Sequence, residues 1–152
     1  IDIPYTSFVN VMIYKITGIY AKRYHKSLEQ AYLMVSEHKY HPHVTAIVDE
    51  LMSGEQQWSM MLREPVNNIK SVGTFKIRTV KMHDSTISIP LEILSGTNAD
   101  FDGDELDVLK LENGSIEVFM EFHLVAMYDY LNNTIDFDNK EWVAISSGLI
   151  TE

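Results

Sequence analysis

The spacing of hydrophobic positions changes along the chain, and each change predicts a different element. From Tyr5 to Tyr24, Phe8, Met12, Ile16 and Ile19 recur at helical spacing, placing them on one face of a single amphipathic helix. Ser27-Leu28-Glu29-Gln30 is a capping box that opens a second helix through about Glu37. Val44 to Met52 forms a third, with Gly54 placed just past its end. Period two then takes over. Thr74 to Met82 alternates Phe75 and Ile77 with Lys76 and Arg78, predicting a strand with a basic outer face. Met82-His83-Asp84-Ser85 connects it to a second strand, in which Ile87, Ile89, Leu91 and Ile93 alternate with Ser88, Pro90 and Glu92. Pro90 marks an edge or a bulge, because proline cannot donate to a ladder. Leu94 breaks the alternation, and Ser95-Gly96 reads as the exit into a loop. Glu105 to Leu111 alternates less regularly and predicts a further strand. Asn113-Gly114 is a turn, and the apolar Ile116 to Tyr130 is read as a helix in preference to a long strand.

Composition narrows the class. The chain has 152 residues, 45% of them hydrophobic, enough for one domain, or one barrel with a helical extension, around a proper core. It has no cysteine, which excludes disulfides and thiol chemistry and fits a reducing, cytoplasmic setting. No apolar run approaches the ~18 residues of a membrane span, and no signal peptide is visible, so no membrane partner is expected. The net charge of −10 is opposite to that of a free-standing nucleic-acid binder. That charge is uneven. Glu55 to Lys81 carries Arg63, Lys70, Lys76, Arg78 and Lys81 against only Glu55 and Glu64, whereas Asp100 to Glu141 is strongly acidic. The basic strand faces suit phosphate contact or plain solvation, and Arg63 has the planar fork that holds two acceptors at once. The chain begins at Ile1 and stops at Glu152 without a natural boundary, as a piece of a longer polypeptide would.

The candidate chemistry lies in Thr97-Asn98-Ala99-Asp100-Phe101-Asp102-Gly103-Asp104. Side chains two apart on an extended segment share a side, so a loop that curves here aims Asp100, Asp102 and Asp104 at one point. Three carboxylates held together repel unless a cation lies between them, and all-oxygen ligation suits Mg²⁺ far better than zinc or copper. Gly103 permits the bend, while Ala99 and Phe101 point the other way and anchor the loop. An EF-hand calcium loop also opens with Asp-x-Asp-x-Asp. Counted from Asp100, however, the diagnostic glycine and glutamate positions hold Glu105 and Leu111. A solvated acidic turn is the plainer alternative, since Asp and Gly are ordinary turn residues. His38, His41 and His43 are close in sequence, but Pro42 breaks any helix that would align them, and they read as an interhelical loop. Met60, Met61, Trp58 and Trp142 read as packing residues.

Asn98 to Asp104, Asn-Ala-Asp-Phe-Asp-Gly-Asp, resembles the active-site signature of the largest subunit (β′ in bacteria) of multisubunit DNA-dependent RNA polymerases. Leu62-Arg63-Glu64-Pro65 and Ser71-Val72-Gly73-Thr74-Phe75 resemble that family's Asn-Arg-x-Pro-Thr-Leu-His-Arg block and the Ser-Ile-x-x-Phe after it. Arg63, Pro65, Ser71 and Phe75 fall in register without a gap. Ile87-Ser88-Ile89-Pro90-Leu91 resembles the stretch before the family's metal loop. Ile3-Pro4-Tyr5 resembles a tripeptide of its preceding helical segment. Leu62 replaces the asparagine, and Val66-Asn67-Asn68-Ile69 replaces Thr-Leu-His-Arg. The chain therefore resembles a divergent member over roughly residues 3–111, of the kind a large bacteriophage with its own polymerase would carry.

The resemblance implies an α+β chain carrying part of a six-stranded double-psi β-barrel. Its organisation would be a helical segment over 1–57, the barrel core with its metal loop over 58–112, and a post-barrel extension over 113–152. Asp100, Asp102 and Asp104 would be the catalytic residues and the ligands of Mg²⁺, with two-metal nucleotidyl transfer as the reaction. Arg63 and Asn98 would bind the incoming nucleotide. Expected partners are the second-largest (β-type) subunit, the remaining largest-subunit segments, a DNA template, the RNA product and nucleoside triphosphates. The expected compartment is the cytoplasm, the host's if the chain is phage-encoded. The family's trigger loop, bridge helix and partner-subunit lysines are not visible here, so the isolated chain should bind metal weakly and polymerise nothing. A two-barrel RNA-dependent polymerase or single-chain phage polymerase, sharing Asp-x-Asp-Gly-Asp, is the nearer alternative. A non-catalytic, calcium-stabilised binding module is the alternative from another class.

Overall fold

A computed structural model describes residues 1–64, 72–97, 99–100 and 102–112. The turn at Asn113-Gly114, the helix expected from Ile116 to Tyr130, Trp142 and the post-barrel extension all lie outside these residues, as do Pro65, Ser71, Asn98 and Phe101. The described chain is a mixed α+β structure in two compact units, residues 1–57 with 77–88, and residues 58–76 with those from 89 onward. No helix among the described residues is long and apolar enough to cross a membrane.

In the first unit, β1 (Asp2–Pro4) runs directly into α1 (Tyr5–Val11) and α2 (Ile13–Arg23). The single helix expected from Tyr5 to Tyr24 is thus two, hinged at Met12, whose ψ of 12° departs from helical geometry. The apolar stripe survives the hinge because Met12 N–H still donates to Phe8 and Ile16 N–H to Met12. Phe8, Met12 and Ile16 are all buried. Hydrophobic spacing reports the face of a helix and is blind to a local change in ψ. Past α2, Lys26 N–H reaches back to Ala21 C=O while His25 takes a φ of 52°, a Schellman stop with histidine where glycine is usual.

The capping box forms as expected at α3 (Leu28–Glu37): Gln30 N–H donates to Ser27 Oγ at 3.1 Å, and Ser27 N–H to Gln30 Oε1 at 3.3 Å. α4 (Pro42–Ser53) starts two residues earlier than expected, because Pro42 occupies the first turn, where its missing N–H costs nothing. The His41 ring caps this helix by accepting from His43 N–H, and the His43 ring stacks on Tyr24 at 4.1 Å. These histidines shape a helix start; among the described residues they form no metal cluster.

The strand expected from Thr74 to Met82 divides between the two units. Its first half is β3 (Val72–Lys76) and its second is β4 (Thr79–Lys81), which pairs in parallel with β1. Between them Ile77 N–H donates to Gln57 C=O and Arg78 N–H to Ile1 C=O, so the backbone changes partners. Arg78 then grips Asp2 with two bonds of 2.9 and 2.6 Å, and holds that carboxylate below its ordinary pKa. Lys81 pairs with Asp84 in the turn that follows. The basic outer face thus spends much of its charge on neighbouring acids.

The second expected strand, Ile87 to Ile93, does not form. Ser88 makes one bridge to Asp2, and the chain then turns through a 3-10 segment (Leu91–Ile93) into α5 (Leu94–Thr97). Pro90 caps this turn and supplies no ladder donor, and Leu91 faces solvent at 68% exposure. Ser95-Gly96 accordingly lies in a short helix.

Helices and strands of the first unit bury Ile3, Phe8, Val9, Ile16, Val35, Val44, Ile47 and Ile77 together. Tyr5 lies in this core, its hydroxyl donating to Lys39 C=O at 2.6 Å and its ring stacked on Tyr40. Burial, then the nearby charges of Asp49 and Tyr40, push its pKa up to about 12. The unfolded chain ionises Tyr5 near 10, so the fold should lose stability as pH rises from ~10 through about 12. An ultraviolet absorbance titration should show one late tyrosine step that Tyr5→Phe removes. That variant should cost about 1 kcal/mol for the lost hydrogen bond. A late step retained in Tyr5→Phe would assign it to another tyrosine.

In the second unit, β2 (Trp58–Leu62) is central, with β3 and β5 (Asp107–Lys110) antiparallel on either side. Met61 and Ser59 lie buried on one face, opposite Gly73 and Phe75. A Cβ at Gly73 would lie 2.3 Å from the Phe75 ring, so any larger residue there would force that ring to move. Trp58 is half-buried, with Lys76 Nζ 5.0 Å above its ring. A three-stranded antiparallel sheet is what these residues form; a closed barrel is not seen among them.

Candidate metal centre

Asp100 to Asp104 joins α5 to β5, and the elements on either side fix its ends. Thr97 is buried and its Oγ1 donates to Ile93 C=O at 3.0 Å, which ties down the helix before the loop. Ala99 N–H donates to Leu94 C=O, and Ala99 is half-buried, consistent with an anchoring role; Phe101 lies outside the described residues. Within the loop, Asp102 N–H donates to Asp100 Oδ1 at 3.1 Å and Asp100 N–H to Asp104 Oδ2 at 3.0 Å. Gly103 takes a φ of 115°, a conformation L side chains rarely adopt, and so supplies the bend expected of it.

The bend brings the three carboxylates together. One oxygen from each of Asp100, Asp102 and Asp104 lies within 4.8 Å of the others, and these are the only residues so grouped among those described. Asp100 and Asp102 are exposed and Asp104 is half-buried. The donor set is oxygen alone, carries up to three negative charges and opens to solvent, which fits a hard divalent cation. Such an ion, when bound, would supply a Lewis acid that neutralises the cluster.

Electrostatics sets Asp102 and Asp104 apart. The Asp100 carboxyl, by hydrogen bonding and then by its charge, raises the pKa of Asp102. Arg63 lowers that of Asp104. The signs are opposite. Ionising Asp102 beside Asp100 costs the folded loop stability, a penalty absent at acid pH and present once pH has risen through the carboxylate range. The Asp104 pairing stabilises above that range and is lost as pH falls. A cation in the cluster would remove the first penalty.

Arg63 is at the site, paired with Asp104. Its Nε and Nη2 each lie 2.8 Å from an oxygen of Asp104, in a two-pronged ion pair. Sheet register explains how residues so far apart in sequence meet. Arg63 follows Leu62, the last residue of β2, and Leu62 pairs with Asp107, the first of β5, just past the loop. This pairing is the feature that sequence reasoning missed, since no local pattern encodes which strands neighbour each other. Asn98, the other expected nucleotide contact, lies outside the described residues.

The chain matches no protein-family model, and no curated protein matches it.

Proposed function

We propose that this chain is a catalytic-core segment of a DNA-dependent RNA polymerase largest subunit, and that its aspartate loop holds Mg²⁺ for nucleotidyl transfer. The observation that carries the reading is the convergence of Asp100, Asp102 and Asp104 within 4.8 Å, on the loop whose sequence resembles the polymerase signature. Mg²⁺ bound there would activate the RNA 3′-hydroxyl and stabilise the leaving pyrophosphate. The chain's own residues do the rest. Asp100 and Asp102 present exposed oxygens toward solvent, where a primer end and a triphosphate would approach. Asp104, oriented by Arg63, supplies the third oxygen from the more sheltered side. Gly103 keeps a side chain off the loop's tip. In this reading the three-stranded sheet belongs to a double-psi barrel completed by other segments. The β-type subunit, the template and the nucleotides complete the nucleic-acid channel.

The test is RNA synthesis by the co-expressed complex containing this chain, with wild type beside Asp102→Ala. Mg²⁺-dependent, template-directed RNA from the wild type alone supports the reading. Full activity in the assembled variant would overturn it.

A further inference from the structure

We propose that Arg63 is the resident counter-ion of the metal loop and sets its cation affinity by competing for Asp104. The inference rests on reading the aspartate triad as a metal centre. Both oxygens of Asp104 accept from the Arg63 guanidinium at 2.8 Å, and one of them also accepts the Asp100 N–H at 3.0 Å. Asp100 and Asp102 form no ion pair among the described residues. An arriving cation therefore meets two carboxylates without an ion-pair partner among the described residues and one already paired with a guanidinium.

A carboxylate has about four lone-pair sites, so Asp104 can ligate while still paired. It does so with a fixed positive charge beside it. Arg63 also interacts electrostatically with Asp100 and Asp102, so its charge opposes the cation across the whole cluster. In exchange, the guanidinium holds the third carboxylate in place and limits repulsion in a loop that carries no ion. Arg63 is thus a positioning residue whose charge lowers affinity while its geometry keeps the loop assembled.

Mn²⁺ is the probe, titrated into the full chain at low salt, with free ion followed by electron paramagnetic resonance. Arg63→Gln should bind Mn²⁺ roughly tenfold more tightly, the effect of removing one charge a few ångström from a divalent ion. Arg63→Lys keeps the charge without the fork and should stay within about twofold of wild type. With Asp104→Asn already present, Arg63→Gln should tighten binding by less than it does alone, because the contested carboxylate is gone. Unchanged or weaker binding in Arg63→Gln would overturn the proposal. So would an Arg63→Lys chain displaced from wild type as far as Arg63→Gln, since that pattern belongs to a purely structural fork. If wild-type binding survives Asp102→Ala undiminished, the ion binds elsewhere and the metal-centre reading itself fails, an outcome distinct from a failure at Arg63 alone.

Discussion

If the chain is the polymerase segment proposed above, Asp102→Ala should reduce RNA synthesis by the assembled complex on the order of a thousandfold or more, the largest effect that reading expects of any single substitution. Asp102 is the sharpest choice of the three acids for reasons visible in the loop. Asp104 is tied to Arg63, so replacing it also frees a guanidinium. Asp100 accepts the N–H of Asp102, so replacing it alters the turn. Alanine keeps the backbone N–H that residue 102 donates to Asp100 and leaves the Arg63–Asp104 pair untouched, though it loses the carboxyl–carboxyl hydrogen bond to Asp100. The exposed Asp102 carboxylate is therefore removed with least disturbance to the loop. On that reading the complex should assemble normally, and raised Mg²⁺ should not restore wild-type rates, because a metal-binding oxygen would be lost and not merely an affinity. Asp102→Asn keeps the shape and removes the charge, and should be nearly as inactive. The measurement is template-directed nucleotide incorporation by complexes matched for subunit content. Activity within a few-fold of wild type would make the loop a structural turn.

What could be read from sequence divides along a physical line. Features set by residues near one another were legible. The capping box at Ser27 and Gln30, the bend at Gly103 and the convergence of alternate aspartates all depend on a few consecutive residues, and all are present. Features set by distant partners were not. Nothing local in Thr74 to Met82 says that the backbone will leave β2 at Lys76 and join β1 at Thr79. The alternation from Ile87 to Ile93 matched a strand, yet the segment has one bridge to Asp2 and then, past Pro90, coils. Period two is a statement about side-chain faces, and a strand also needs a neighbour with free donors and acceptors.

The same division explains Arg63. Its guanidinium suits a phosphate, a ribose or a carboxylate equally well, and residue type alone cannot choose among them. In this structure the β2–β5 register brings Asp104 to it. The net charge of −10 reads differently in that light. Arg63, Arg78 and Lys81 are matched to Asp104, Asp2 and Asp84, so three prominent cations of the basic stretch stabilise their own unit before they meet any partner. A polymerase segment built this way would rely on other segments and subunits for most of its phosphate contacts.

Phe8→Ala should destabilise the helical unit by about 3–5 kcal/mol, the usual cost of emptying a buried phenylalanine site. Phe8 is fully buried in α1, within the cluster formed by Val9, Met12, Ile16, Val44 and Ile47. The site cannot readily collapse, because α1 is held at both ends. Pro4 ends β1 immediately before it, and the hinge at Met12 follows it, bonded back to Phe8 C=O. Against a typical domain stability of ~5–15 kcal/mol, a loss of this size removes a large share of the margin. Urea unfolding of the full chain, followed by far-ultraviolet circular dichroism, should show the helical transition moved to much lower denaturant. Leu33→Ala is the matched control: Leu33 is 49% exposed on α3, and its loss should cost only about 0.5 kcal/mol. Equal shifts in the two variants would mean that Phe8 is not packed as described. A large shift in Phe8→Ala alone would fix the hinged α1–α2 pair as the unit's packing centre, although its sequence pattern reads as one uninterrupted helix.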